Sequence, residues 1–174
     1  MDMLERFAAG DVDAFEQLFR QYQNEIYRWI VRIVRNPGVA EELTVETFWR
    51  IYRHRKRLDP RRPFLPWARR IATRASIDFL RSSELGESAG LVCETPGPPV
   101  PDPLVQAEIR KQIARAFFSL PARLRVAASL ALIEECPYQE IADALDISLS
   151  AVKMRVGRAV RRLRDSLEKM GIRP

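Results

Sequence analysis

The sequence predicts an all-α protein of two small helical domains joined by a Pro-rich linker, the second containing a helix-turn-helix. Glycine is scarce, with 7 residues among 174, and long stretches contain neither glycine nor proline. Apolar residues recur at steps of three and four, the period of a helix with one buried face. Residues 82–103 break this pattern with clustered prolines and glycines, and indicate a linker. The expected domains are therefore 1–81 and 104–174, with the linker at 82–103.

Three helices are predicted in the N-terminal domain. Asp13 and Glu16 have the spacing of a capping box at a helix start. The apolar stripe that follows consists of Phe15, Leu18, Phe19, Tyr22, Ile26, Trp29, Ile30 and Ile33. Residues 36–38, Asn-Pro-Gly, end this helix, and a second is expected over about 39–53. The third helix is expected to begin near Pro66, because proline is favoured in a first helical turn.

Four helices are predicted in the C-terminal domain, over about 104–119, 122–134, 138–145 and 149–169. A short turn separates the last two, and Ser148 is a good N-cap for the final helix. The buried face of the final helix is expected to consist of Val152, Val156, Ala159, Leu163 and Leu167. Two helices that meet at such a turn are typical of a helix-turn-helix, although close helix pairs also occur in bundles that bind no DNA.

Charge is sorted along the chain, which carries a net charge of +6. Residues 50–81 carry a net +9 and residues 150–174 a net +6. Residues 82–109 carry a net −5, and residues 134–149 hold five acidic residues and no basic one. A basic balance of this kind favours a polyanionic partner such as nucleic acid.

Several classes of function are disfavoured. Two cysteines, Cys93 and Cys136, and a single histidine, His54, lie too far apart in sequence to suggest a metal site, and no cofactor is expected. The single histidine lies in a basic loop and the chain has no Gly-rich phosphate cradle, so we do not expect an enzyme. No apolar run could cross a bilayer and the N-terminus does not have the pattern of a signal peptide, so we expect a cytoplasmic protein.

The final helix would enter the major groove of DNA and present its outward residues to bases and phosphates. The candidate contacts are Ser148, Ser150, Ala151, Lys153, Met154, Arg155, Arg158, Arg161 and Arg162. The residues near the start of the helix are the candidates for base contacts, and the later arginines are the candidates for phosphate contacts.

Three blocks of the chain, in this order, resemble the extracytoplasmic-function group of the bacterial sigma-70 family. They read AEELTVETFWRIYRH over 40–54, FLPWARRIATRASIDFLRS over 64–82, and FFSLPARLRVAASLALIEECPYQEIADALDISLSAVKMRVGRAVRRLRDSLE over 117–168. The resemblance implies a sigma factor that binds core RNA polymerase and directs it to promoter DNA. Its N-terminal domain would grip the β′ clamp coiled coil and recognise and melt the −10 element. Its C-terminal domain would sit on the β flap and read the −35 element.

The resemblance also implies site residues in the N-terminal domain. Those for polymerase docking are Glu41, Glu42, Glu46, Trp49, Arg50 and Tyr52. Those for the −10 element are Arg55, Lys56, Arg57, Arg61, Arg62, Phe64, Arg69, Arg70 and Arg74. Trp67 is expected mostly in the core, and of the adjacent pair Phe48 and Trp49 only one is expected to point inward.

Members of this group are often controlled by an anti-sigma factor, which is a further partner to consider, while no direct insertion into a membrane is expected. The alternative function is a stand-alone helix-turn-helix regulator. It leaves the N-terminal domain unexplained, and it predicts tight sequence-specific DNA binding by the protein alone.

The chain departs from the family pattern at a few positions. Arg74 stands where asparagine is common, and Asp146 stands where glycine is usual in the turn of the helix-turn-helix. Aspartate tolerates a left-handed backbone better than most residues, so the turn can survive. Met154 makes the start of the final helix more apolar and suits contact with thymine methyl groups. Gly157 is unusual in mid-helix, and Pro137 is expected within a first helical turn.

Overall fold

The structure is a computed structural model that describes residues 2–85 and 103–172, and the regular structure of these residues is entirely helical. The helices are α1 (Met3–Ala8), α2 (Val12–Val34), α3 (Pro37–Arg53), α4 (Phe64–Leu85), α5 (Pro103–Phe118), α6 (Ala122–Ala128), α7 (Tyr138–Leu145) and α8 (Leu149–Lys169). A short 3₁₀ turn over Arg55–Arg57 follows α3, and a π-helical segment over Ser129–Ile133 continues α6. The predicted all-α class is confirmed.

The chain starts with a helix that the apolar pattern did not predict. Asp2 and Glu5 form the capping box of α1, each side chain bonding the other residue's backbone N–H. Phe7 is fully buried and stacks near Phe15 of α2, with ring centroids 5.9 Å apart. A six-residue helix with one buried aromatic is too short for its periodicity to be recognised.

The capping box predicted at Asp13 and Glu16 is wrong. The N-cap of α2 is Asp11, whose carboxylate accepts from the backbone N–H groups of Asp13 at 2.9 Å and Ala14 at 3.2 Å. The Arg6 guanidinium, 2.7 Å from this carboxylate, and these backbone donors hold the pKa of Asp11 below its usual value. Helix α2 therefore begins two residues earlier than the pattern indicated.

Helices α2, α3 and α4 pack together with α1 as the N-terminal region. The buried Trp29 side chain of α2 ties this core to α4, because its indole N–H donates to Thr73 Oγ1 at 2.9 Å. Helix α3 begins at Pro37, two residues before the predicted start. Helix α4 begins at Phe64 rather than Pro66 and continues to Leu85, into the predicted linker. Residues 86–102 lie outside the described residues, so the rest of the linker stays a prediction.

Helices α5 to α8 form the C-terminal region, and their bounds lie close to the predicted ones. Pro137 is the N-cap of α7 rather than a first-turn residue, with a φ of −55° and a ψ of 137°. Asp146 ends α7 in the left-handed conformation, at a φ of 55°. Ser148 caps α8 as predicted, its hydroxyl accepting from the Ala151 N–H at 3.1 Å. The turn Asp146–Ser148 thus joins α7 and α8 as a helix-turn-helix.

The two regions pack against each other. Helix α4 contacts both α6 and α7, and α2 contacts the π-helical segment Ser129–Ile133. One apolar cluster runs through both regions, from Trp29 of α2 and Leu80 of α4 to Leu130 and Ile141. The two regions therefore form a closed arrangement, meaning that the helix-turn-helix packs directly against α4.

Candidate nucleic-acid and polymerase interfaces

Helix α8 presents the predicted DNA-contacting residues on its outer face. Val152, Val156 and Ala159 are buried and fix the orientation of the helix. The opposite side carries exposed Ser148, Ser150, Lys153, Met154, Arg158, Arg161 and Arg162. Met154 is an apolar residue of this face and is 57% exposed. The face can therefore offer an apolar group among cations, which suits base-edge and phosphate contacts together.

Arg155 and Ala151 are the two predicted contacts that are half-buried rather than exposed. Burial lowers the pKa of Arg155, and the positive charges of Arg123 and Arg81 lower it further. Arg81 belongs to α4, so in the closed arrangement a residue predicted to read DNA faces like charge from the N-terminal region.

The loop between α3 and α4 exposes the cations Lys56, Arg57, Arg61 and Arg62. Phe64 is a correction, because its side chain is only 2% exposed. Its ring lies 4.9 Å from that of Tyr22 and 6.5 Å from that of Phe7, measured between centroids. Phe64 is a core residue, and it cannot stack on a base unless this core opens.

Arg55 differs from its neighbours in this loop because it is held by the protein itself. Its guanidinium lies 4.6 Å from the centroid of the Tyr52 ring and donates to the Tyr52 carbonyl at 3.0 Å. It also lies against Gly10, where an added Cβ would stand 3.5 Å from Arg55 Nε. These contacts hold the Arg55 guanidinium against the protein, so Arg55 stabilises the loop and is less available than its neighbours to contact DNA.

Trp67 is half-buried against the core, in line with the expectation, and its exposed part lines two clefts. One cleft of about 330 Å³ lies between the loop and α4, and its polar lining includes Asp59, Arg62 and Arg70. The other lies between α3 and α4 and is lined by Arg50, Arg74 and four further residues. An aromatic wall beside arginines is an arrangement that can hold a planar anionic ligand such as a nucleotide.

Helix α3 divides its two adjacent aromatics as predicted. Phe48 is 2% exposed and packs on Phe19, with centroids 4.8 Å apart. Trp49 is 56% exposed and lies beside Val45, which is 65% exposed. In the family pattern that the chain resembles, glutamine is common at the position of Val45, and the structure shows that this valine is exposed, so an apolar side chain replaces a polar contact on this surface.

The acidic and basic residues of α3 frame this apolar patch. Glu41 and Glu42 are exposed, while Glu46 and Tyr52 are half-buried. Arg50 pairs with Glu46 at 2.8 Å and with Asp78 of α4 at 2.9 Å. These carboxylates raise the pKa of Arg50. The result is a mixed surface of exposed tryptophan and fixed charge, the composition of a protein-binding hot spot.

Three predicted −10 residues on α4 contact the C-terminal region, which the sequence reasoning did not foresee. Arg69 Nη1 lies 2.6 Å from Glu140 Oε1, and Arg70 Nε donates to the Asp143 carbonyl at 2.9 Å. Arg74 Nη2 lies 3.2 Å from Asp146 Oδ2. The sequence feature that could have indicated this contact is the negative charge of residues 134–149, which is opposite to the positive charge of residues 50–81.

Among the described residues, no group of three or more His, Cys, Asp or Glu side chains is placed to hold a metal ion. None of the described helices combines the length and the apolar character needed to cross a membrane.

Comparison with known proteins matches both parts of the chain to one family. Residues 18–85 match the family model of Sigma-70 region 2, and residues 110–163 match that of Sigma-70, region 4. The chain is 32% identical to the RNA polymerase sigma factor CarQ of Myxococcus xanthus, over 94% of this chain and 95% of that protein. It is 31% identical to the ECF RNA polymerase sigma factor SigW of Bacillus subtilis, with 91% of each chain covered.

The fold is also found among solved structures. The structure of CnrH in complex with the cytosolic domain of CnrY is similar with a TM-score of 0.58, at 22% identity and over 96% of each chain. A sigma factor RpoE of Bartonella quintana is similar with a TM-score of 0.51, at 20% identity and over 88% of this chain and 96% of that one. The matching regions, their order and the full-length relatives agree, and the chain belongs to the sigma-70 family as an RNA polymerase sigma factor of the extracytoplasmic-function group.

Proposed function

We propose that this sigma factor binds core RNA polymerase through α3 and directs it to promoters through two basic surfaces. The single observation that carries the assignment of α3 is the exposed Trp49, 56% exposed beside an exposed Val45. An exposed tryptophan and an exposed valine framed by Glu41, Glu42 and Arg50 form a mixed surface typical of a protein interface. The partner surface would be the β′ clamp coiled coil of polymerase.

The −10 element is assigned to the loop and to α4. Exposed Lys56, Arg57, Arg61 and Arg62 supply cations for phosphates, and Arg69, Arg70 and Arg74 extend this surface along α4. Melting a base pair costs a few kcal/mol, which stacking and hydrogen bonds to an extruded base must offset. The cleft beside Trp67 takes the stacking role that Phe64 cannot have.

The −35 element is assigned to α8, which would lie in the major groove. Lys153 and Met154 near its start would contact base edges, while Arg158, Arg161 and Arg162 would contact phosphates. The C-terminal region would rest on the β flap, and the linker would connect the two reading surfaces. We further propose that the chain has no catalytic centre of its own, acts in the cytoplasm, and is open to control by an anti-sigma factor.

A transcription assay tests this proposal. Core RNA polymerase, this protein and genomic DNA fragments would be combined, and the 5′ ends of the transcripts mapped. We expect discrete starts preceded by a shared −35 and −10 element. Sequence-specific DNA binding by the protein alone, without any protein-dependent transcript, would instead indicate a stand-alone regulator, which the likeness to sigma factors over the whole chain does not favour.

A further inference from the structure

We propose that a cleft between α2, α5 and the π-helical segment binds a small organic anion with an apolar body, such as a medium-chain carboxylate. The cleft has a volume of about 300 Å³ and is called the α2–α5 cleft here. It is lined by Arg35 of α2, by Ile133 of the π-helical segment and by one face of α5 between Arg110 and Phe118. None of these residues is assigned to DNA or to polymerase docking, so the site does not rest on the proposed function.

One face of α5 forms the apolar wall of the α2–α5 cleft. Arg110, Ala114 and Phe118 follow one another at steps of four, and Ile113 and Phe117 lie beside them on the same face. The rings of Phe117 and Phe118 pack edge to face, with centroids 6.2 Å apart. Ala114 lies between these rings and Arg110, and its single methyl group leaves space in front of the helix.

Two isoleucines that line the α2–α5 cleft are exposed to water. Ile113 is 45% exposed and Ile133 is 42% exposed, and they come from different elements. A ligand with an apolar body would remove both side chains from water, which is favourable in proportion to the apolar area buried. The volume of the cleft lies at the lower end of the range for small-molecule sites, about 300–1,000 Å³, so it suits one short chain and not a two-chain lipid.

Arg35 gives the α2–α5 cleft a cation whose hydrogen bonds are not all used. Its side chain is only 18% exposed, and Nη2 lies 2.9 Å from Glu134 Oε1 as an ion pair. Nε and Nη2 are nevertheless buried without a hydrogen bond. Buried donors are almost always hydrogen-bonded in folded proteins, so this guanidinium has capacity left for an acceptor. A small rotation of the side chain would turn these donors to an anion in the cleft.

Positive charge is in excess among the residues named around the α2–α5 cleft. Glu134 is shared, because Arg32 Nε lies 3.5 Å from its Oε2 while Arg35 lies at its Oε1. Arg110 is exposed and makes no ion pair with another described residue. A guanidinium group binds a carboxylate through two parallel hydrogen bonds, which matches the head of the proposed ligand. The cleft therefore combines an apolar wall with cations for one anionic group.

Nuclear magnetic resonance of the ¹⁵N-labelled full chain tests the site, with sodium octanoate as the probe. We expect saturable shifts of the backbone signals of Ile113, Ala114 and Ile133. The expected Kd is about 1 mM, in line with the affinity per atom of small ligands. Acetate carries the carboxylate without the chain, and 1-octanol carries the chain without the charge. Both should bind at least about fivefold more weakly than octanoate.

Two pairs of variants test the head and the body of the ligand separately. Arg110→Gln should raise the Kd of octanoate about three- to tenfold, because it removes one partly exposed charged contact. Arg115→Gln removes an exposed charge from the same helix outside the cleft and should leave the Kd unchanged. Ile113→Gln should weaken binding by a similar factor. Leu104→Gln, at a position of α5 that is 82% exposed and outside the cleft, is its control.

All four substituted side chains are exposed, so the variants should fold and a change in Kd reports the cleft. Equal Kd values for Arg110→Gln and Arg115→Gln, or for octanoate and 1-octanol, would overturn the proposal. The absence of saturable shifts at octanoate concentrations up to about 10 mM would overturn it too. Phosphatidylglycerol vesicles present an anionic head on two chains, and their binding in place of octanoate would contradict a site for a small ligand. No outcome depends on promoter DNA or polymerase, so the proposed function is tested separately by transcription.

Discussion

Gly157 lies in the middle of α8 with open space around the place where a Cβ would stand. Glycine in a helix interior costs about 1 kcal/mol relative to alanine, through its greater freedom in the unfolded chain. We expect Gly157→Ala to raise the free energy of unfolding by about 1 kcal/mol, measured by urea denaturation. Gly171→Ala is the matched control, because Gly171 has a φ of +81° and alanine there should not stabilise.

The absence of a side chain at Gly157 also bears on recognition. If this glycine allows α8 to approach DNA closely, the stabilised Gly157→Ala variant should bind the −35 duplex less tightly in the polymerase complex. Raised stability with unchanged binding would contradict the close approach. No contact of the described residues would then explain why position 157 is a glycine.

For single residues, burial can be predicted from the sequence where the direction of one side chain restricts that of its neighbour on the same helix. Phe48 and Trp49 lie about 100° apart on a helix, so only one could point to the core. Prediction from the sequence fails for Phe64, because the rings that pack against it, Tyr22 of α2 and Phe7 of the unpredicted α1, lie far from it in the sequence. No local pattern around Phe64 carries that information.

The two faces of helix α3 are expected to have different roles, because the buried face stabilises the fold and the exposed face would bind polymerase. We expect Trp49→Ala to weaken binding to core polymerase at least thirtyfold, since exposed tryptophans at interface centres often contribute 2 kcal/mol or more. Its stability should change by less than about 0.5 kcal/mol. Affinity would be measured with labelled full-length protein and stability by urea denaturation.

The neighbouring Phe48 is the control for this prediction. Phe48→Ala removes a buried ring and should cost about 3–5 kcal/mol of stability. A Trp49→Ala protein that unfolds as readily as Phe48→Ala, or that binds polymerase normally, would contradict the assignment of the exposed face of α3.

Helix α8 should divide its contacts between base edges near its start and phosphates farther along. We expect Met154→Ala to reduce discrimination at one −35 base pair by about 1–3 kcal/mol. Arg161→Ala should instead weaken binding to all duplexes and lower the salt slope by about one. Both would be measured in the polymerase complex over a range of NaCl concentrations, with single substitutions in the −35 element. Equal effects of Arg161→Ala and Met154→Ala on base preference would contradict this division and would indicate that α8 lies in the groove in a different orientation.

Elements were predicted well where a long periodic pattern defines them and less well at their ends. The bounds of α7 and α8 were predicted from apolar spacing and from Ser148. The start of α2 was assigned to Asp13 because it precedes Glu16 by three residues, whereas Asp11 makes the capping bonds. Asp11 is followed three residues later by Ala14 and lacks the capping-box spacing, so the sequence pattern pointed to Asp13 although Asp11 is the N-cap.

For the whole molecule, the contact between the two regions lay beyond sequence reasoning. Arg69 and Glu140 are 71 residues apart, and no periodicity connects them. The charge pattern showed an acidic segment and a basic one but not which surfaces meet. Complementary charge on segments far apart in the sequence is a general property, and the pairing becomes specific only through the packing of α4 against α7.

The continuous apolar cluster predicts that the two regions unfold together. All three tryptophans, Trp29, Trp49 and Trp67, lie in the N-terminal region, so their fluorescence reports only that half. Far-UV circular dichroism reports the helices of both halves. We expect the two signals to give one coincident urea transition, because separating the regions would expose Leu130, Ile141 and the facing side of α4 to water. A tryptophan transition displaced from the circular dichroism transition would show that the regions fold independently and that closure adds little to stability.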